Sequence, residues 1–469
     1  MIYINETSTI PIYVQIYEQV KSDIVKGNIK AGEKLISTRT LAKNLCVARN
    51  TVENSYGQLC LEGYVINKPC SGFIVQDISE ELLVPLKQNS DIILSSTHSY
   101  AIETEIYDYD FQYGNIENHK FPYSLWRKLT NEALLSVDKE KINFYNDKQG
   151  ELDLRIEIMH YIKQSRGVYC TPAQIVLCCG MQYALDFICK LIPKEDRILA
   201  MEEPGYDGAR IIFENNDFEI MPIPVESDGI SISYVETTNA KIAYITPSHQ
   251  FPTGSIMPIQ KRNQLLNWAI KNDTIIVEDD YDSEFRYNSR PIPSLQSIDN
   301  NGKVVYIGTF SKSLSPGLRI SYMVLPKPLL LTYNAIFNKY NSTIPWLHQK
   351  IITLYIRGGH LERHIRKSCN YNKKKHDLLI RTIKKLMGNK VIIHGNNAGL
   401  HIILEFVNGE NQDWLIQKAK EQKVKVYSTT SHWYDKEKAP KNLILLGFSM
   451  LSENDIVNGI TNLKKAWFK

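Results

Sequence analysis

Long apolar runs are missing from this chain. Nowhere do about eighteen hydrophobic residues follow one another, as a membrane-crossing helix needs. The amino terminus MIYINETSTIPIYVQ has no basic stretch leading into an apolar core. Neither membrane insertion nor export is expected, and the cytoplasm is the expected compartment. Cysteine is sparse: eight residues, none in a CxxC pair with metal-ligand spacing, several inside apolar runs where a reduced, buried thiol is the ordinary state. No metal site is expected. Net charge is nearly absent at +4, too little for wholesale coating of nucleic acid, so any basic partner surface must be local. What the chain does have is 43% hydrophobic and 23% charged residues over 469 positions, enough for two or three domains with sizeable cores.

Residues 1–76 read as a unit of their own. Tyr13, Ile16, Tyr17, Val20 and Ile24 recur at helical spacing after Pro11, and Gly27 with Asn28 suits a left-handed helix end. Ser37 or Thr38 caps a short helix through Leu41, Ala42 and Leu45; a Cys46-Val47 corner then leads into a helix from about Ala48 to Glu62. In that helix Val52, Tyr56 and Leu59 form one stripe, leaving Asn50, Glu53 and Asn54 outward and Arg49 at the amino-terminal end. GYVINKPCSGFIV adds two short β runs around a Pro-Cys-Ser-Gly turn. Helix, turn, helix and wing in this order predict a recognition helix for the DNA major groove, with Lys34, Arg39, Lys43 and Arg49 facing a single acid, Glu33.

The stretch KLISTRTLAKNLCVARNTVENSYGQLCLEGYVINKPCSGFIV resembles the GntR-type DNA-binding domain along its whole length. It departs at Ile36, where the family has proline, and at Glu53, where some relatives carry arginine. The resemblance implies Arg39, Arg49, Asn50 and Thr51 as DNA contacts, with Ser71 and Gly72 in the wing. Residues 77–106 then shift in composition: six acids against Lys87 give a local charge of minus five, a linker with a helical turn expected at ISEELLVPL.

From residue 107 to 469 helical segments alternate with IVLCC, RILAM, KIAYIT, TIIVED and VVYIGTF, which predicts βαβ units and a mostly parallel sheet whose strand ends hold a ligand. IVLCCGMQYALDFI passes from strand to helix at Gly180, Met181 and Gln182, where free N–H groups suit a phosphate. In TIIVEDDYDSEF alternation puts Asp279 and Tyr281 on one face, Glu278 and Asp280 on the other. VVYIGTFSKS brings Thr309, Ser311 and Lys312, with Arg319 close enough to reach the same phosphate. These parts match pyridoxal 5′-phosphate: a lysine for its Schiff base, an acid for its pyridine nitrogen, a phenol for its ring oxygen, and phosphate donors.

This constellation is similar to the fold-type I aminotransferases over residues 107–469. The resemblance implies that Tyr206 of EEPGYDGAR stacks on the pyridine ring, and that Tyr145 of YNDKQGELDLR touches the phosphate of a partner subunit. A GntR unit joined to such a domain resembles the MocR subfamily, of which the GabR type is known. The fold class is therefore α/β, a winged helix-turn-helix domain followed by a large aminotransferase-like domain. Double-stranded operator DNA, a small amine or amino-acid-like effector, and a second copy of the chain, head-to-tail or not, are the implied partners.

Two departures bear on activity. In TPSHQFPTG, Phe251 stands where transaminases have the asparagine that bonds the ring oxygen, leaving His249, Gln250 or Tyr281 alone for that task. In NLILLGFS, Leu445 stands where they carry the arginine that grips the substrate carboxylate, and no arginine follows Arg381. Transaminase activity is expected to be weak or absent. Three readings stand at this point: a regulator sensing an amine by Schiff-base exchange at Lys312, an aminotransferase with a DNA-binding appendage, and a regulator using a cofactor-free domain as a dimerisation scaffold.

Overall fold

Local chemistry accounts for the first elements of the chain. In the computed structural model, which describes residues 2–5, 7–69, 71–78, 106–117, 121–136, 143–287 and 292–468, helix α1 (Ile12–Val25) buries Ile16, Tyr17, Val20 and Ile24. It ends at Lys26, and Gly27 follows at φ +74°. Helix α2 (Thr38–Asn44) is capped by Ser37, whose Oγ accepts from the Thr40 N–H at 3.1 Å. Cys46 takes φ +55° in the corner, and α3 (Arg49–Leu61) buries Val52, Ser55, Tyr56 and Leu59. Strands β1 (Val65–Lys68) and β2 (Gly72–Val75) pair antiparallel as the wing, and Lys34 bridges to Ile74. Leu41, Val52, Leu59 and Val75 join α1 in one core.

The chain divides into two compact units, Met1–Thr104 and Glu105–Lys469. The linker expected at 77–106, its helical turn and the Cys70 position of the wing turn lie almost wholly outside the described residues.

The second unit begins with β3 (Tyr109–Asp110) and carries β4 (Ile175–Cys178), β5 (Ile198–Glu203), β6 (Glu219–Glu226), β7 (Gly229–Ile230), β8 (Ile242–Ile245), β9 (Ile275–Asp280), β10 (Val304–Thr309) and β11 (Ser321–Val324). Eight of these make one sheet in the order β4-β11-β10-β9-β8-β5-β6-β7. Strands β6, β5, β8, β9 and β10 run parallel. All five strands expected from the sequence are present. Strand β11 was not anticipated; it returns antiparallel beside β10 because the connection is too short for a crossover helix. Alternation divides the strand side chains between two apolar layers: Ile242 and Tyr244 of β8 face one, Ala243 and Ile245 the other. Helices cover both faces, which is why the strands read as continuous hydrophobic runs.

A further four-stranded antiparallel sheet, β12 (Val391–His394), β13 (His401–Phe406), β16 (Leu443–Gly447) and β15 (Tyr427–Ser428), packs against the helices His360–Met387 and Glu453–Trp467. The short β14 (Val424–Lys425) pairs with β3. Among the described residues no helix is long and apolar enough to cross a membrane, and no group of side chains could hold a metal ion.

Candidate functional site

The strand ends of the large sheet converge on a cavity of about 210 Å³. Lys312 enters it from the turn after β10, and its Nζ donates to the Gly114 carbonyl at 3.2 Å while lying 4.4 Å above the Tyr113 ring. Burial lowers this amine to about 8, against the opposing pull of Asp282 and Asp279. Asp279 and Tyr281 come in from the end of β9. The opposite face of β9 takes its other acids away from the cavity, as alternation requires: Glu278 accepts from the Leu295 and Gln296 N–H groups, and Asp280 pairs with Arg166.

Asp279 is 3% exposed, and its Oδ2 accepts from the Tyr244 hydroxyl at 2.5 Å while its Oδ1 is buried without a partner among the described residues. Burial first, then Asp280 and Asp282, push its carboxyl up to about 7. A buried oxygen with no donor on the wall of a cavity is a place for a ligand N–H.

The other end of the cavity is cationic and rich in N–H groups. The helix Met181–Leu191 starts there without a side-chain cap, behind Gly180 at φ +87°. A Cβ on Gly180 would stand 2.3 Å from Arg319 Nη2, so only glycine lets the guanidinium approach this helix start. The Arg319 side chain makes no hydrogen bond or ion pair with another described residue, and its backbone sits at φ +52° with the N–H on the Pro316 carbonyl. Met181, Gln182, Thr309 and Ser311 complete this end, and the Thr309 hydroxyl donates to Ser311 Oγ at 3.0 Å. Tyr206 lines the side of the cavity. Tyr145 does not: it is 87% exposed and lies outside the cavity of its own chain.

The departures at 246–254 and 442–449 have definite consequences. Gln250 is taken up within its loop, donating to Pro204 O at 2.8 Å and Phe251 O at 2.7 Å and accepting from Thr253. His249 instead contacts the Tyr281 hydroxyl through Nδ1 at 3.1 Å and Asp282 at 2.9 Å. Tyr281 thus reaches the cavity from this corner, beside Thr246, while Phe251 lines it with carbon. Leu445 is buried against Phe251 and Tyr281.

Sequence reasoning missed Tyr113, Thr246, Pro316 and the Asp279 partner Tyr244. For Tyr244 and Thr246 a signal existed, since alternation along IAYIT puts both on one face of a strand next to β9. Tyr113 had none, being brought to Lys312 from 199 positions away by the tertiary fold.

In the first unit the outward face of α3 shows Asn50 and Asn54 exposed and Thr51 half-buried. Arg49 pairs with Glu53 through Nε at 2.8 Å, with the two side chains 63% and 40% exposed. Arg39 is exposed on α2, and a Cβ on Gly72 of the wing would touch Lys34 Cε at 3.2 Å, so Lys34 stands beside the wing next to Ser71.

Residues 106–435 match the family described as aminotransferase class I and II, and residues 12–75 match the bacterial regulatory proteins of the gntR family. The chain is therefore an aminotransferase-class domain joined to a gntR-type DNA-binding domain. It is 39% identical over 468 residues to the uncharacterized HTH-type transcriptional regulator YdeL of Bacillus subtilis, covering 99% of this chain and 98% of that protein. It is 29% identical to the probable rhizopine catabolism regulatory protein MocR of Rhizobium meliloti, over 100% and 96% of the two chains. Among solved structures, kynurenine aminotransferase of Pyrococcus horikoshii, in complex with PMP, superposes with a TM-score of 0.70 at 25% identity, covering 83% of this chain and 96% of that one.

The chain belongs to the MocR/GabR type of HTH transcriptional regulators, whose large domain is pyridoxal 5′-phosphate-dependent. The cavity fits that cofactor. Asp279 Oδ1 lacks a donor that the pyridine N–H supplies, Arg319 with the uncapped helix start lacks an anion that the phosphate supplies, and Lys312 offers an amine of lowered basicity.

Proposed function

We propose that this regulator senses a small primary amine at Lys312 and changes its hold on operator DNA in response. The observation that carries the reading is the pairing of a buried amine of lowered basicity, Lys312, with the donor-free Asp279 oxygen, in a chain whose other unit is a DNA-binding domain. Asp279 and Tyr281 would hold the cofactor ring on its nitrogen and oxygen, Tyr206 would stack on it, and Gly180, Met181, Gln182, Thr309, Ser311 and Arg319 would hold its phosphate. When bound, the cofactor would supply an aldehyde carbon able to bond the nitrogen of Lys312 or of a small primary amine. A Lys312 amine not held by the cofactor would lie near Asp282, Asp279 and the Tyr113 ring. A ligand of this kind shifts DNA affinity only to the extent that two protein states bind it differently.

The domains behind this reading are residues 1–76 for DNA and 107–469 for the ligand, tethered by 77–106. A homodimer would bring the exposed Tyr145 to the partner's cavity and present two recognition helices to a repeated or palindromic operator. Arg39, Arg49, Asn50 and Thr51 would contact the DNA, with Ser71 and Gly72 in the wing. The test is operator affinity measured with and without added amines in the wild type and in Lys312→Ala. The variant should fold, lose the cofactor's lysine-dependent absorbance band and lose the amine response. A response as large in the variant as in the wild type overturns the proposal.

A further inference from the structure

Around Phe251 the cavity is walled by aromatic rings, with tyrosine hydroxyls as their polar atoms and Leu445 packed behind them. Phe251, Tyr281 and Leu445 form one buried cluster, with Tyr113, Tyr206 and Tyr427 packed against it. Phe251 is its centre: its ring lies 5.3 Å from Tyr113, 5.9 Å from Tyr206 and 6.1 Å from Tyr281. Leu445 is 3% exposed, in the middle of β16 between Ile403 of β13 and Tyr427 of β15.

No spare cation serves this wall. Among the described residues the only cationic side chains lining the cavity are Lys312 and Arg319. The neighbouring histidines do not replace one. His401, 5.2 Å from Phe251, is held down to about 3 by burial and is uncharged, with Nε2 on the Pro252 carbonyl at 2.9 Å. His249 faces Asp282 at 2.9 Å, and His432 lies 3.5 Å from Asp207. Three buried arginines are engaged elsewhere, Arg166 with Asp280, Arg262 with the Met257, Pro293 and Pro247 carbonyls, and Arg286 with the Ser248 carbonyl. The acids that act on Lys312 and Tyr113 are Asp282 and Asp279.

A carboxylate brought to this wall sheds its water, meets no cation and no more than a tyrosine hydroxyl, that of Tyr113 being buried without a partner among the described residues, and lies near two acids, whereas an alkyl or aryl body gains by leaving water. We infer that the amine read at Lys312 carries no carboxylate and is a primary amine on an apolar or aromatic body. This rests on the sensing role proposed above.

The experiment uses the full chain loaded with pyridoxal 5′-phosphate and titrates matched amines that differ only in the carboxylate: 2-phenylethylamine against L- and D-phenylalanine, and n-butylamine against 4-aminobutyrate. The shift of the absorbance band and the heat of binding are both read. In each pair the amine without a carboxylate should half-saturate at a concentration lower by about tenfold or more, about 1.4 kcal/mol. A smaller preference, or a preference for the amino acid, overturns the inference while leaving the sensing role in place. If no member of either pair shifts the band of a protein that carries it, the sensing role itself fails, and the inference with it. Leu445→Arg, in protein that still melts cooperatively and holds the band, should raise the response to L-phenylalanine about tenfold; an unchanged response counts against Leu445 as the residue that excludes the carboxylate.

Discussion

Each unit holds an arginine against a carboxylate, in opposite surroundings. Arg49 and Glu53 meet on the outer face of α3, Arg49 mostly in water and Glu53 partly so. Arg166 and Asp280 meet under the large sheet with their side chains 4% and 1% exposed, in a two-pronged contact of 2.6 and 3.2 Å that the Tyr306 hydroxyl and Ser248 complete. A pair near the surface gains little and is released at little cost, as the DNA contact proposed for Arg49 requires. A buried pair cannot be opened from one side without stranding a charge. By holding Asp280 to one face of β9, Arg166 fixes the other face, and with it Asp279 and Tyr281 in the cavity. One pair is a handle that can be let go, and the other is a clamp.

The largest effect separating the two is expected from Asp280→Ala, which strands Arg166. It should cost about 3–5 kcal/mol of the large unit's unfolding free energy, measured by urea denaturation, with cofactor affinity falling alongside. A loss below about 1 kcal/mol would dissolve the distinction. Arg49→Ala should cost about 1–3 kcal/mol in operator affinity, read in a DNA-binding titration, while leaving the melting temperature in place.

Next in size is a pH effect in the cavity. Because burial lowers Lys312 to about 8, its reactive uncharged form is about one-tenth of the total at pH 7 and the majority above 8. The rate of pyridoxal 5′-phosphate uptake by cofactor-free protein should therefore rise about tenfold per unit at low pH and level off above about pH 8. A rise continuing to pH 10 would mean an ordinary, solvated lysine. Smallest is Glu53→Gln, which should change the unfolding free energy by no more than about 0.5 kcal/mol. A larger loss would show that the exposed pair holds structure after all.

The same contrast governs what could be read in advance. In the first unit every cue is local: the Ser37 cap, the turn at Cys46 and the Val52, Tyr56, Leu59 stripe lie within a few residues of what they specify. In the second unit, alternation along IIVEDDY was enough to separate Asp279 and Tyr281 from Glu278 and Asp280. The antiparallel sheet β12-β13-β16-β15 was missed, although HIILEF and LILLG have the length and composition of buried strands. The choice between His249 and Gln250 was not legible, because both are polar neighbours on one loop. What separates them is that Gln250 turns back onto Pro204 and Phe251, while His249 meets Asp282 and Tyr281.

By itself, the sequence determined the order of elements, the joining of a DNA-binding unit to an aminotransferase-class domain, and the strand ends that carry Lys312, Asp279 and Arg319. Period, capping and turn chemistry act over a few residues, and a linear reading follows them. Only the tertiary structure decided that Tyr113 lies over the Lys312 amine, that Tyr244 takes one Asp279 oxygen and leaves the other bare, and that Leu445 packs against Phe251 and Tyr281. Those contacts join residues tens to hundreds of positions apart, and burial, which no single residue encodes, lowers the Lys312 amine and raises the Asp279 carboxyl.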